Sequence, residues 1–263
     1  WNTDGFTLIY GGQQVPNYDG HTYVAWQWKA NGGTTVSNTE GNVTNTLQVN
    51  QDAGFSISKF PSAASGNTTF GHGLGVTPDM FIVKVASAGG GWWVNHKGLT
   101  NRTTKYLGLH STAAEGTVSW GAAPSSTLIT ASADFIGSGN TSVVCYAFAE
   151  KQGYSKFGKY VGNGNANGSF VYTGFKPAWI MLKPSSAADN WIIVDNKRDP
   201  SNGANAAQKR LFADTVGTEG TGYAVCDMLS NGFKMRATST SWNGNGTTYI
   251  YMAFAENPFT TST

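Results

Sequence analysis

The residues able to do chemistry are few and scattered. Asp189, Asp195 and Asp199 form the densest acidic neighbourhood, and glycoside hydrolysis needs a pair of carboxylates as acid and nucleophile. Lys197 and Arg198 sit among them, which is the charge balance of a solvated turn, and no Glu-x-Asp-x-x-Glu run occurs. No catalytic residue is assigned, and a polysaccharide-cleaving enzyme stands only as a remote alternative. His21, His72, His96 and His110 have neither His-x-x-x-His spacing nor a cysteine neighbour, so no metal site and no cofactor are expected. The glycines around His72, at 71–75, lead into a proline-started strand rather than a helix, so no helix N-terminus is there to cradle a phosphate.

Carbohydrate binding calls for a different set: aromatic faces for the C–H surface of a pyranose, and amides or carboxylates for its hydroxyls. Trp92, Trp93, Asn95 and His96 supply that mixture in one short segment. Strand alternation sends Trp92 and Trp93 to opposite faces. Trp92 matches Trp191 in a second copy of the segment, which leaves Trp93 as the expected exposed member. Trp242 and Asn243, in a Gly- and Asn-rich turn, form the second group. The glycan-contact candidates are therefore Trp93, Asn95, His96, Trp242 and Asn243. The competing expectation for each is burial in a core or against an adjacent module.

These residues must be positioned by strands. Charged residues make up only 12% of the 263, against about 25% in a typical soluble domain. The 34 glycines, with abundant Asn, Ser and Thr, provide turns and uncharged hydrogen-bonding surface. The composition predicts an all-β fold. A net charge of +2 without a basic cluster disfavours nucleic acid as a partner. The apolar stretches at 81–85 and 191–194 fall far short of the roughly 20 residues that cross a bilayer, so no membrane insertion is expected. Cys145 and Cys226 lack metal-ligand spacing and read as one disulfide or as two separately buried thiols. A start at Trp1 without Met reads as a processed or truncated chain.

The chain also resembles itself. Segments 23–30, 143–150 and 249–256 align without gaps, with Val24, Trp26 and Trp28, then Val144, Tyr146 and Phe148, then Ile250, Met252 and Phe254, expected on one core face. Segment 73–84 matches 172–183, keeping Gly75 with Gly174, Pro78 with Pro177 and Lys84 with Lys183. Segment 4–8 matches 231–235. The period is about one hundred residues. It predicts tandem antiparallel β-sandwich repeats of jelly-roll or concanavalin-A-like type: a half-repeat at 1–30, a linker or long loop at 31–51, and sandwiches at 52–150 and 151–259. No coiled-coil heptad is present to set an oligomeric state. Residues 205–212 could form a turn or two of helix.

Several short motifs carry a further resemblance: Tyr-Val-Ala-Trp at 23–26, Val-Ser-Asn-Thr-Glu at 36–40, Ala-Gly-Phe-Ser-Ile at 53–57, Gly-His-Gly-Leu-Gly-Val-Thr-Pro at 71–78, Gly-Tyr-Ser-Lys-Phe-Gly at 153–158 and Ala-Phe-Ala-Glu-Asn-Pro-Phe at 253–259. In these the chain resembles repeat modules of tailed-bacteriophage virion proteins, common in marine phages. The resemblance implies concanavalin-A-like or SPRY-like sandwiches in tail fibres, appendages or other exterior parts of the particle. It also implies a virion or extracellular location, other virion proteins and further copies of the chain as partners, and contact with host-surface glycan as an alternative role.

Overall fold

The structure is a computed structural model and describes residues 5–8, 19–87, 89–198 and 206–259. The first ten strands are β1 (Val36–Asn38), β2 (Asn45–Asn50), β3 (Phe55–Pro61), β4 (Thr68–Gly71), β5 (Met80–Val85), β6 (Trp92–His96), β7 (Lys105–Gly108), β8 (Gly116–Thr117), β9 (Leu128–Ala131) and β10 (Ser142–Phe148). There follow β11 (Ser155–Val161), β12 (Phe170–Tyr172), β13 (Pro177–Pro184), β14 (Ile192–Asp195), β15 (Ala206–Ala207), β16 (Arg210–Phe212), β17 (Cys226–Leu229), β18 (Gly232–Met235) and β19 (Thr248–Ala255). The described helices, α1 (Ala133–Ile136) and α2 (Thr240–Asn243), are single turns, each started by a serine whose side chain accepts an amide N–H. The fold is all-β and antiparallel, in agreement with the composition.

Four sheets stack as layers. A two-stranded sheet, β4-β9, faces an eight-stranded sheet of order β1-β2-β3-β10-β5-β6-β7-β8. Phe60, Phe70, Val83, Ile129, Val143 and Cys145 fill the space between them. The other side of the large sheet packs on a five-stranded sheet, β11-β19-β13-β14-β16, through Met80, Ile82, Phe148, Trp179, Met252 and Phe254. A four-stranded sheet, β12-β18-β17-β15, closes the far side over Ile180, Leu182, Cys226, Phe233 and Tyr251. Both faces of the two middle sheets are therefore buried, which explains why β5, β13 and β19 are nearly continuous runs of apolar residues.

The strand order β3-β10-β5-β6-β7 recurs as β11-β19-β13-β14-β16. Register follows it. Phe148 stands opposite Phe55 and Met80, and Phe254 stands opposite Ser155 and Trp179. Lys84 faces Val144, and Lys183 faces Ile250. Gly54 turns the chain from β2 into β3 at φ +63°. A Cβ there would lie 2.1 Å from the Ala149 carbonyl oxygen, so only glycine fits.

Three expectations are corrected. Segment 23–30 is not a strand: Trp26 and Trp28 are half-buried wedges against the middle core, and Val24 is exposed. Trp28 reaches the rings of Trp179 and Phe254 at 5.3 and 5.4 Å. The stretch 31–51 is no free linker, since β2 pairs with β3 along its length and β1 pairs with β2. Residues 206–207 and 210–212 are short strands rather than helix. Asp4, at the start of segment 4–8, lies outside the described residues, as does Asp199.

Candidate functional site

The seam between the two middle sheets holds two buried titratable side chains, His96 and Lys183. His96, on β6, is fully buried, and its Nε2 donates to the Tyr251 carbonyl at 3.1 Å while Nδ1 accepts the Gly98 N–H at 2.9 Å. Burial pushes its pKa down to about 3, against the upward pull of the Tyr251 carbonyl. This is a neutral imidazole acting as a clasp. Trp191 Nε1 donates to the Gly108 carbonyl at 2.7 Å. The buried Lys183 Nζ donates to the carbonyls of Thr112 at 3.1 Å and Pro184 at 3.0 Å. Burial lowers the Lys183 pKa to about 8, with Asp214 and Asp189 pulling the other way.

Where the seam reaches the surface it opens into a groove of about 710 Å³ lined by Trp92, Leu109, His110, Ala213, Asp214, Thr215 and Val216. Trp92 lies on the same face of β6 as Val94 but beyond the cover of the second sheet, so its ring is exposed and stacks on Tyr146 at 6.2 Å. His110 accepts the Trp92 N–H through Nδ1 at 2.9 Å. Asp214 Oδ1 accepts the Trp191 N–H at 3.2 Å, and its buried Oδ2 has no partner among the described residues. Burial raises the Asp214 pKa, and Asp189 adds to that, while hydrogen bonds from backbone N–H groups and the charge of Lys183 oppose it. An indole face and an imidazole thus share one open groove, with the Asp214 side chain in its wall.

The five residues singled out from the sequence lie elsewhere. Trp93, expected on the surface, packs inward on the first core beside Tyr106, His110 and Phe135, each with ring centroids 5.0 to 5.3 Å away. Asn95 is buried and exchanges two hydrogen bonds with Arg102, donating Nδ2 to its carbonyl at 2.7 Å and accepting its Nε–H at 2.8 Å. His96 is the clasp just described. Trp242 is buried beneath the Arg210 guanidinium, 5.3 Å from the ring centroid, and its carbonyl accepts the Tyr160 hydroxyl at 2.6 Å. Asn243 is buried, and its two amide N–H groups are shared among Asn163 Oδ1 and the carbonyls of Asn165 and Ala237, tying the 163–165 loop to Ala237. The structure brings Trp93, Asn95 and His96 onto one strand but gives them no common surface, and Trp242 and Asn243 belong to the outer core of the other sheet pair. Asn95, His96 and Asn243 are committed to partners within the chain, and Trp93 and Trp242 pack on its cores, so as glycan contacts the five are set aside. The sequence signal for the groove was Trp92 itself. Asp214 carried none, because only folding brings the 213–216 loop beside it.

Asp195 and Glu150 are each paired with a basic side chain. Asp195 accepts from the backbone N–H groups of Lys197 and Arg198 and from Arg198 Nε at 2.6 Å. Burial opposes its ionisation, but these bonds outweigh burial and hold the carboxyl below its usual range. Glu150 accepts from Lys97 at 2.7 Å and from Lys156, which joins the end of β10 to β11. Burial works against its ionisation too, and the two lysines overcome it. His72 repeats the clasp pattern of His96, with Nε2 on the Ser125 carbonyl at 3.2 Å and Nδ1 accepting the Leu74 N–H. Among the described residues, no three His, Cys, Asp or Glu side chains gather as a metal would require, and no helix is long and apolar enough to cross a membrane.

Fold and seam together define a protein of stacked antiparallel β layers in which buried polar groups serve as cross-layer ties. The chain belongs to the family described as a domain of unknown function, DUF7483, whose model matches residues 1–258. No curated protein and no solved structure matches it.

Proposed function

We propose that the chain is a non-catalytic structural module of a tailed-phage particle, carried on a tail fibre, appendage or other exterior part and packed against other virion proteins. One observation carries this reading. Four β layers enclose three apolar cores in series, and the buried His96 and Lys183 side chains are engaged in hydrogen bonds to backbone carbonyls across the middle seam rather than aimed into a cleft. Such a stack suits a load-bearing exterior part, and a surface poor in charge suits dense lateral packing. The recurring strand order and register further support two sandwich repeats, 52–150 and 151–259, of jelly-roll or concanavalin-A-like type. Antibodies raised against the chain are expected to label the outside of intact particles of the phage that encodes it. Purified particles that lack the chain would overturn the reading.

A second reading, recognition of a host-surface glycan, is favoured by the Trp92 groove. The indole offers a stacking face, and the polar side chains of His110 and Thr215 line the groove beside it. On a glycan array the wild-type chain is expected to bind, and Trp92→Ala to lose at least tenfold in affinity while keeping its fold. A wild-type chain that binds no glycan defeats this reading and leaves the structural one standing.

A further inference from the structure

The two middle sheets differ on one side. In the first, the outer edge of β3 is covered by β2, with Gln48 opposite Ile57 and Thr46 opposite Lys59. The segment before β2 runs on to β4, where Gly41 bridges Phe70 and Asn42 bonds Thr69. In the second, β11 takes the place of β3 but is the edge strand. The chain leading into β11 is only the short turn after β10, too short to lay down a covering strand of its own.

The backbone of β11 is therefore open along one side. Tyr154 and Gly162 bond to Ala255 and Thr247, so the even-numbered residues face β19 and the odd-numbered ones face outward. Ser155 N–H is engaged by the Lys151 carbonyl, and the Val161 carbonyl by the Ser169 hydroxyl at 2.6 Å. The N–H and C=O groups of Phe157 and Lys159 remain, and no described residue reaches them. They correspond to Ile57 and Lys59, whose outward groups β2 covers.

We propose that this edge pairs with the same edge of a second copy of the chain, antiparallel about a two-fold axis at Gly158, joining two five-stranded sheets into one. In that register Phe157 stands opposite Lys159 of the other copy, Lys156 opposite Tyr160, and Gly158 opposite itself. Lysine on an edge strand normally blocks pairing, but here each lysine meets an aromatic residue and no lysine meets another. Phe157 and Lys159 of each copy exchange hydrogen bonds reciprocally. The contact is isologous and closed, so it ends at a dimer rather than a fibre. It does not depend on the virion reading.

Light scattering coupled to size exclusion, over a wide concentration range, tests it. The wild-type chain is expected to approach twice its 27.9 kDa mass, and Lys159→Ala, which keeps the amide, should do the same. Lys159→Pro, which removes the outward donor, is expected to stay monomeric with an unchanged circular dichroism spectrum. Hydrogen exchange on the wild type gives a second readout that needs no variant: the amides of Phe157 and Lys159 should gain protection as concentration rises. A wild type of monomer mass at every concentration overturns the proposal. So does a dimer that survives Lys159→Pro, or one that leaves exchange at Phe157 and Lys159 unchanged.

Discussion

His96 and Tyr251 lie 155 residues apart in the chain, yet the imidazole Nε2–H meets the tyrosine carbonyl at 3.1 Å. The Gly98 N–H occupies Nδ1, which fixes the neutral tautomer. One side chain thus spans the core shared by the two middle sheets.

Acid should loosen that clasp. The His96 pKa falls from 6.5 to about 3 on folding, so below pH 6.5 the unfolded chain binds a proton that the folded chain refuses. The stability this group contributes is complete above about pH 6.5 and declines toward pH 3, by up to ~1.4 kcal/mol per pH unit. His96→Asn should lose stability at neutral pH, and its deficit relative to wild type should shrink as the pH falls. Urea unfolding of both chains across that range checks it; a constant deficit would mean that the proton is not involved.

Trp191 is buried in the same core, and its indole N–H is committed to Gly108. Trp191→Phe removes that bond and part of the ring, at an expected cost of about 1 to 3 kcal/mol. The urea midpoint should drop with an unchanged slope. Trp92→Ala, at the exposed counterpart, should change stability by less than about 1 kcal/mol.

Lys183 behaves in the opposite sense to an ion-paired lysine. Its pKa drops from 10.5 to about 8 on folding, so between those values the unfolded chain holds the extra proton and stability rises with pH. Lys183→Met abolishes this contribution. The stability of wild type minus that of the variant should therefore climb from about pH 8 to 10.5, a comparison that cancels the tyrosines titrating in both chains.

The thiols Cys145 and Cys226 are free and sit in different cores. Burial raises both pKa values, that of Cys226 to about 12. A thiol reagent should label neither in the native chain and both in denaturant. A mass two hydrogens lower, with no labelling in denaturant, would indicate a disulfide instead.

Strand alternation, turn glycines and the scarcity of charge were enough to read an all-β chain, to place β5, β10, β13 and β19, and to align Lys84 with Lys183. Those features are local, because side-chain period and turn chemistry are written within a few residues. What covers each face is not local. Alternation separated Trp92 from Trp93 but could not say that both faces of β6 would be roofed, one by the first core and one by a second sheet ending just short of Trp92. Burial of His96 and Asn243 depended on partners as distant as Tyr251 and Asn163. Segment 23–30 matched two true strands yet stayed outside the sheets, with Trp26 and Trp28 wedged against a core built by other segments. Periodicity distinguishes the two sides of a strand, and only the packing of distant layers decides which side meets water.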